Sequence, residues 1–121
     1  MDKYSDNLDQ LFGALSDSTR RDILTRLCQG PASVSELKEP HAMALPNLLK
    51  HIHVLESSGL IETQKQGRTR VCVLRPDALS ATEAWLQEQR QLLHARFDRL
   101  EDYIETLKAQ SNKEKDDDSA A

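Results

Sequence analysis

The sequence has little of what secreted, membrane-spanning or disulfide-stabilised proteins need. It contains only two cysteines, Cys28 and Cys72, in no CxxC pair, which argues against a disulfide scaffold and fits a reducing cytosol. It has no apolar run of about 18 residues that could cross a membrane. Its first ten residues carry acidic side chains in place of the apolar stretch of a secretory signal. We therefore expect a cytoplasmic protein without a membrane partner.

The sequence also lacks the residue sets of common catalytic and metal sites. It has no glycine-rich phosphate loop, no HExxH motif and no Ser/His/Asp set on predicted loops. Zinc needs three or four converging ligands, and His94 stands alone on its helix. We interpret Cys28 and Cys72 as small apolar residues that fill space, with a thiol-sensing role as the alternative. We expect no enzyme activity, no metal and no cofactor.

Charge is distributed unevenly along the 121 residues, which leave room for one domain. The formal net charge is −4, yet residues 40–75 carry five Lys or Arg against two Glu, a local balance of +3. A basic middle segment on an acidic chain is compatible with phosphate binding at one face. The last residues are acidic and nearly free of apolar side chains, which predicts a folded domain over 1–108 and a disordered acidic tail over 109–121.

Hydrophobic spacing predicts three helices before the basic segment. Leu8, Leu11, Phe12 and Leu15 recur at helical intervals. Ser16 or Asp17 can cap a second helix, and Gly30-Pro31 ends it. A short third helix begins near Ser33 or Ser35 and stops at Pro40.

A fourth helix carries a polar, cationic face. Leu48, Ile52 and Leu55 form its apolar stripe, Leu45 lies on the same side, and Gly59 suits its C-terminal cap. The opposite face and one edge of this helix carry Pro46 and five polar side chains, Asn47, Lys50, His51, His53 and Ser57.

Two β-branched stretches around Gln66-Gly67-Arg68-Thr69 predict a β-hairpin with a basic tip. If Lys65 pairs with Arg70, one face of the hairpin is shared by Ile61, Thr63, Cys72 and Leu74. From Ser80 the chain turns helical again, with leucines every seven residues and, from Leu93 onward, apolar residues at alternating steps of four and three, the spacing of a coiled-coil seam. The seam residues are Leu86, Leu93, Phe97, Leu100, Ile104 and Leu107.

This order of elements predicts a mainly helical α+β fold, a winged helix-turn-helix. A major groove about 12 Å wide accepts one helix, and side chains near its N-terminus reach base edges. Asn47 can bond adenine, Lys50 can reach guanine or phosphate, and the hairpin cations can lie over the backbone. The candidate DNA-binding residues are Pro46, Asn47, Lys50, His51, His53, Lys65, Arg68 and Arg70.

Three motifs make the chain resemble ArsR-type winged-helix repressors over about residues 8–108. They are D-x-T-R-R at 17–21, K-H-x-x-V-L-E-x-x-G-L-I at 50–61, and G-R-x-R at 67–70. The resemblance, to the branch without an obvious metal site, implies a homodimer on a palindromic operator of double-stranded DNA. It places the dimer interface on the first and last helices, at Leu8, Leu11, Phe12, Leu86, Leu93, Phe97, Leu100, Ile104 and Leu107.

The chain departs from the family pattern on the fourth helix. Ala44 and Leu45 stand where a Ser or Thr usually caps it, and Leu49 stands where a Ser usually precedes the Lys-His pair. Two alternatives remain open from the residues: a ligand- or thiol-gated form of the repressor, and a winged-helix protein–protein module. The sequence identifies no small-molecule effector.

Overall fold

The structure, a computed structural model, describes residues 3–119, with side chains described over 7–113. Its helices and strands confirm the mainly helical α+β class. Within the described residues no helix is both long and apolar enough to cross a membrane. The chain divides into two compact units, Met1–Glu83 and Ala84–Ala121. In chain order the elements are α1 (Lys3–Leu15), α2 (Ser18–Leu27), β1 (Ala32–Ser33), α3 (Val34–Lys38), α4 (Leu45–Ser57), β2 (Ile61–Gln66), β3 (Thr69–Leu74) and α5 (Ser80–Ser119).

The hairpin has the register that the sequence predicts. Lys65 lies opposite Arg70, and Thr63 lies opposite Cys72, so the alternation of buried and exposed residues fixes one face toward the core. Gly67 opens the two-residue turn with φ 64°, a positive value at the first central position, as in a type II′ turn. The two-residue strand β1 was not predicted from the sequence. It pairs with the other edge of β3 and makes a three-stranded antiparallel sheet.

The core of the first unit lies under α4 and the sheet. Apolar residues from α1, α2, α3, α4 and the strands form one buried cluster. Burying the predicted stripe of α4 fixes which face of that helix is left to solvent. The most deeply buried large side chains of this cluster are Ile23, Leu48, Leu55, Leu60, Ile61 and Cys72.

The end of α4 is fixed by the glycine that the sequence indicated. Gly59 has φ 83°, and its N–H donates to the carbonyl of Glu56 at 3.1 Å. The N–H of Leu60 donates to the carbonyl of Leu55, also at 3.1 Å. These two bonds form a Schellman motif, which satisfies the last carbonyls of the helix and turns the chain into β2.

Three single-residue expectations need correction. Leu45 was placed on the apolar stripe of α4, but it is 43% exposed because the core does not extend to the first turn of the helix. Leu11, assigned to the dimer interface, is buried in the core of its own unit, beside Ala14. Cys28 is exposed at the end of α2, so the filler interpretation holds for Cys72 alone.

The second unit is formed by α5. Its helix begins at Ser80, as predicted, and continues to Ser119, so residue 108 is not a boundary of secondary structure. Residues 120–121 of the predicted tail lie outside the described residues, and solution disorder of 109–121 stays a prediction. A single helix cannot bury its own side chains, and the seam from Leu86 to Leu107 is exposed along its length.

Candidate nucleic-acid interface

The outer face of α4 presents polar side chains to solvent. Asn47, Lys50 and His53 are all exposed, as is Pro46 in the first turn. Ala44 stands at the N-cap in an extended conformation and makes no side-chain hydrogen bond to the helix. The helix is therefore held by packing of its apolar stripe and by its C-terminal motif, while its N-terminal turn stays accessible.

The hairpin tip gathers three cations. Lys65 and Arg70 are direct cross-strand partners, so two positive side chains lie opposite each other on one face. Arg68 follows at the turn. Like charges in that position disfavour the folded hairpin unless an anion compensates them. Among the described residues, neither these three nor Lys50 has an ion pair, whereas Arg75 is paired with carboxylates.

A cleft of about 450 Å³ separates α4 from the hairpin. The face of the hairpin that covers the core continues past the core, and there it carries Arg70 toward this cleft. Glu56 also lines the cleft, and the Thr63 hydroxyl donates to its carboxylate at 3.2 Å. The lining residues are Leu49, Ile52, His53, Glu56, Ser57 and Arg70.

One arginine joins α1, α2 and α4. Arg20 donates from Nε to the carbonyl of Ala14 at 2.8 Å and from Nη2 to that of Gly13 at 3.1 Å, which caps the end of α1. Its Nη1 lies 3.0 Å from Nδ1 of His51. A guanidinium has only donors, so Nδ1 accepts and the ring proton is on Nε2. His51, predicted as a DNA contact, is thus half-buried and engaged with α2 through one nitrogen.

Asp17 completes this junction as the N-cap of α2. Its carboxylate accepts the backbone N–H of Arg20 at 3.1 Å and lies 3.7 Å from Nδ1 of His51. The backbone hydrogen bond from Arg20, with the positive charge of the Arg20 side chain, holds the pKa of Asp17 below its ordinary value despite some loss of hydration. The D-x-T-R-R motif therefore positions α4 on α2, a structural role that the sequence analysis did not assign to Arg20.

Replacing Arg20 by alanine should destabilise the first unit. The change removes two caps on α1 and the contact with His51, and we expect a loss of about 2 kcal/mol of unfolding free energy. Urea denaturation at one fixed chain concentration measures it. Arg21→Ala is the matched control, since Arg21 makes one bond, to the carbonyl of Leu15 at 2.8 Å. Equal losses in the two variants would contradict the junction role.

Within the described residues we find neither a reactive thiol at Cys72 nor a metal site. Burial raises the pKa of the Cys72 thiol, with the negative charge of Glu56 acting in the same direction, so its thiolate is disfavoured. Over the described part of the chain, no group of three His, Cys, Asp or Glu side chains is arranged to hold a metal ion. The exposed cations of α4 and the hairpin therefore remain the candidate site.

Comparison with known proteins assigns a family to this arrangement. A helix-turn-helix domain model matches residues 15–64, from the end of α1 into β2. The HTH-type transcriptional regulator Rv2034 of Mycobacterium tuberculosis is 37% identical over 73 residues, which is 60% of this chain and 68% of that protein. The transcriptional repressor SdpR of Bacillus subtilis is 25% identical over 79 residues, 65% of this chain and 88% of that protein.

Solved structures give the same result. The crystal structure of an ArsR family transcriptional regulator is 52% identical and covers 78% of this chain and 97% of its own, with a TM-score of 0.73. A homodimeric winged helix-turn-helix DNA-binding domain from Mycobacterium bovis is 23% identical, covers 74% of this chain and 84% of its own, and has a TM-score of 0.58. The second similarity bears on the fold alone.

Proposed function

Because the chain belongs to the ArsR family of winged helix-turn-helix transcriptional regulators, we propose that it is a repressor that binds a palindromic operator as a homodimer. The single observation that carries DNA binding is the set of exposed cations on α4 and the hairpin that have no ion pair among the described residues. They are Lys50, Lys65, Arg68 and Arg70.

Phosphate is the anion that these cations fit. A DNA backbone offers closely spaced negative charges, and each contact releases condensed counterions. Binding would also remove the cost of holding Lys65 opposite Arg70, because a phosphate between them compensates both charges. The hairpin therefore acts as the wing that lies along the backbone.

Base reading falls to the first turns of α4. Asn47 and Lys50 are exposed there, and an amide can bond adenine in bidentate fashion while an ammonium reaches guanine or a bordering phosphate. His53 lies farther along the same outer face and can contact phosphate. His51 serves instead to hold α4 in place, through its contact with Arg20.

Dimerisation is supported by the seam of α5. Its six apolar side chains are about half exposed, and burying them against a second copy would gain on the order of 10 kcal/mol. An apolar surface formed by six such side chains is seldom left exposed to water. On α1, Phe12 is exposed and Leu8 is half-buried, and the proposed dimer interface includes both. The winged helix-turn-helix domain from Mycobacterium bovis, which has the same fold, is homodimeric.

Repression follows from occupancy. A dimer that covers about one turn of duplex per half-site excludes other proteins from the same stretch. SdpR, one of the relatives, is named a transcriptional repressor. We place the chain in the cytoplasm, where its operator would lie.

Duplex binding by the full chain tests this proposal. We would select duplexes of about 30 bp from a random pool and measure their affinity by fluorescence anisotropy at several salt concentrations. Four such cations in each chain, hence eight in a dimer, give a log–log salt slope of up to about −7. Absence of binding at low salt would overturn the proposal and leave a protein–protein module as the function.

A further inference from the structure

Two leucines are exposed at the start of α4, in the part of the helix that we propose contacts DNA. Leu45 is the first residue of the helix and is 43% exposed, and Leu49 is 38% exposed. They are four residues apart, about one turn, so they share one side of the helix. Neither belongs to the buried cluster of the first unit.

Their surroundings indicate what covers them. Leu49 lines the cleft toward the hairpin together with His53 and Arg70. The carboxylate of Glu56 also lines this cleft, where it accepts a hydrogen bond from the Thr63 hydroxyl. Lys50 is the next residue along the helix and is exposed. An apolar pair flanked by cations fits a surface that is itself apolar in places and anionic around them.

The major groove of DNA is such a surface. Its base edges display donors and acceptors, and the C5-methyl group of thymine is the apolar group among them. Phosphates border the groove on both sides, within reach of the cations on α4 and the wing. A partner protein of apolar surface would instead leave the cations beside the leucines uncompensated.

We propose that Leu45 and Leu49 read thymine methyl groups in each half of the operator. This assignment rests on the proposed function and specifies it, since it requires T·A pairs next to the bases that Asn47 and Lys50 contact. The resemblance places a Ser where this chain has Leu49, so the chain exchanges a polar contact for an apolar one. Its operator would accordingly contain T·A pairs that a serine at this position does not require.

Replacing thymine by deoxyuridine tests the proposal, because uracil lacks only the methyl group. The duplex selected from the random pool is resynthesised with one T changed to dU at a time, and binding by the full chain is measured. We expect at least one position in each half-site at which the change weakens binding by about fourfold, the effect of one buried methyl.

Variants then assign the effect to its residues. Leu45→Ala or Leu49→Ala should bind the unmodified duplex more weakly and no longer distinguish T from dU at one position. Val54→Ala is the matched control: Val54 is 37% exposed on the same helix but lies about 140° around the axis from Leu49. The control should distinguish T from dU as the natural chain does. Circular dichroism checks that each variant is folded.

The possible results distinguish the leucine assignment from the proposed function on which it rests. Tight duplex binding that is indifferent to dU at every position overturns the leucine assignment and leaves the proposed function standing. A dU effect that persists undiminished in both leucine variants also overturns the assignment. Failure to bind any duplex overturns the proposed function itself, and the assignment with it.

Discussion

Replacing Lys50 and Arg68 together by alanine should weaken duplex binding about a thousandfold at low salt. The double variant removes one cation from α4 and one from the hairpin turn in each chain, so a dimer loses four. At about 1 kcal/mol for each contact, the loss is about 4 kcal/mol, which is three orders of magnitude in affinity. The log–log salt slope should become shallower by about 3.6, since each lost phosphate contact changes it by about 0.9.

The control removes the same amount of positive charge from a different part of the chain. Lys108→Ala with Lys113→Ala also removes two cations, both on α5, and takes the formal net charge from −4 to −6 as the first pair does. We expect this variant to bind within a few-fold of the natural chain. If both double variants weaken binding equally, overall charge decides the affinity and the assignment of α4 and the wing is wrong.

A single charge in the seam of α5 should dissociate the dimer. Leu93 is 50% exposed and lies between the other seam residues, so Leu93→Asp would bury a carboxylate opposite a leucine-rich partner. Burial of an unpaired charge costs several kcal/mol, enough to shift a micromolar sample to single chains. Sedimentation velocity measures the change, and affinity for the selected duplex should fall with it because half-sites are then bound one at a time.

Leu92 supplies the matched control for this prediction. It precedes Leu93, is 60% exposed, and lies off the four-and-three repeat of the seam. Leu92→Asp should therefore leave both the association state and duplex binding unchanged. Equal dissociation in the two variants would show that a charge at either exposed position of α5 separates the copies. The seam would then have no specific role in dimerisation.

Local sequence signals predicted much of the fold. The pairing of Lys65 with Arg70, which the sequence offered as one register that puts Ile61 and Cys72 on one face, is the pairing present in the hairpin. Gly59 ended α4 as expected because a Schellman motif needs a positive φ, which glycine adopts without strain. Asp17 caps α2 because its short carboxylate can reach the backbone N–H of Arg20.

What the sequence could not predict depends on contacts between distant residues. Arg20 joins three helices, and no spacing along the chain shows that His51 lies 3.0 Å from it. The strand β1 is too short to have a periodicity, and it exists because Ala32 meets Cys72. Helical spacing put Leu45 with the core, but the core ends before the first turn of α4. Leu11 shared a stripe with Phe12, yet only Leu11 reaches the core.

Part of the candidate site could also be predicted from the sequence. The cations of α4 and the wing could be named from their positions, because surface residues of a predicted helix and hairpin stay on the surface. Their lack of ion pairs required the structure, since Arg75 looks equivalent in sequence but is paired with Glu62 and Asp77 at 3.8 Å each. The difference between the two histidines also came from contacts: His51 lies 3.0 Å from Arg20, while His53 is exposed.

In the proposed complex, two α4 helices contact one duplex as a symmetric pair. Hydroxyl-radical footprinting of the full chain on its selected duplex tests this most directly. We expect two protected patches related by two-fold symmetry, with their centres about 10 bp apart or a multiple of that spacing. A single protected patch, or no protection in low-salt buffer, would contradict it.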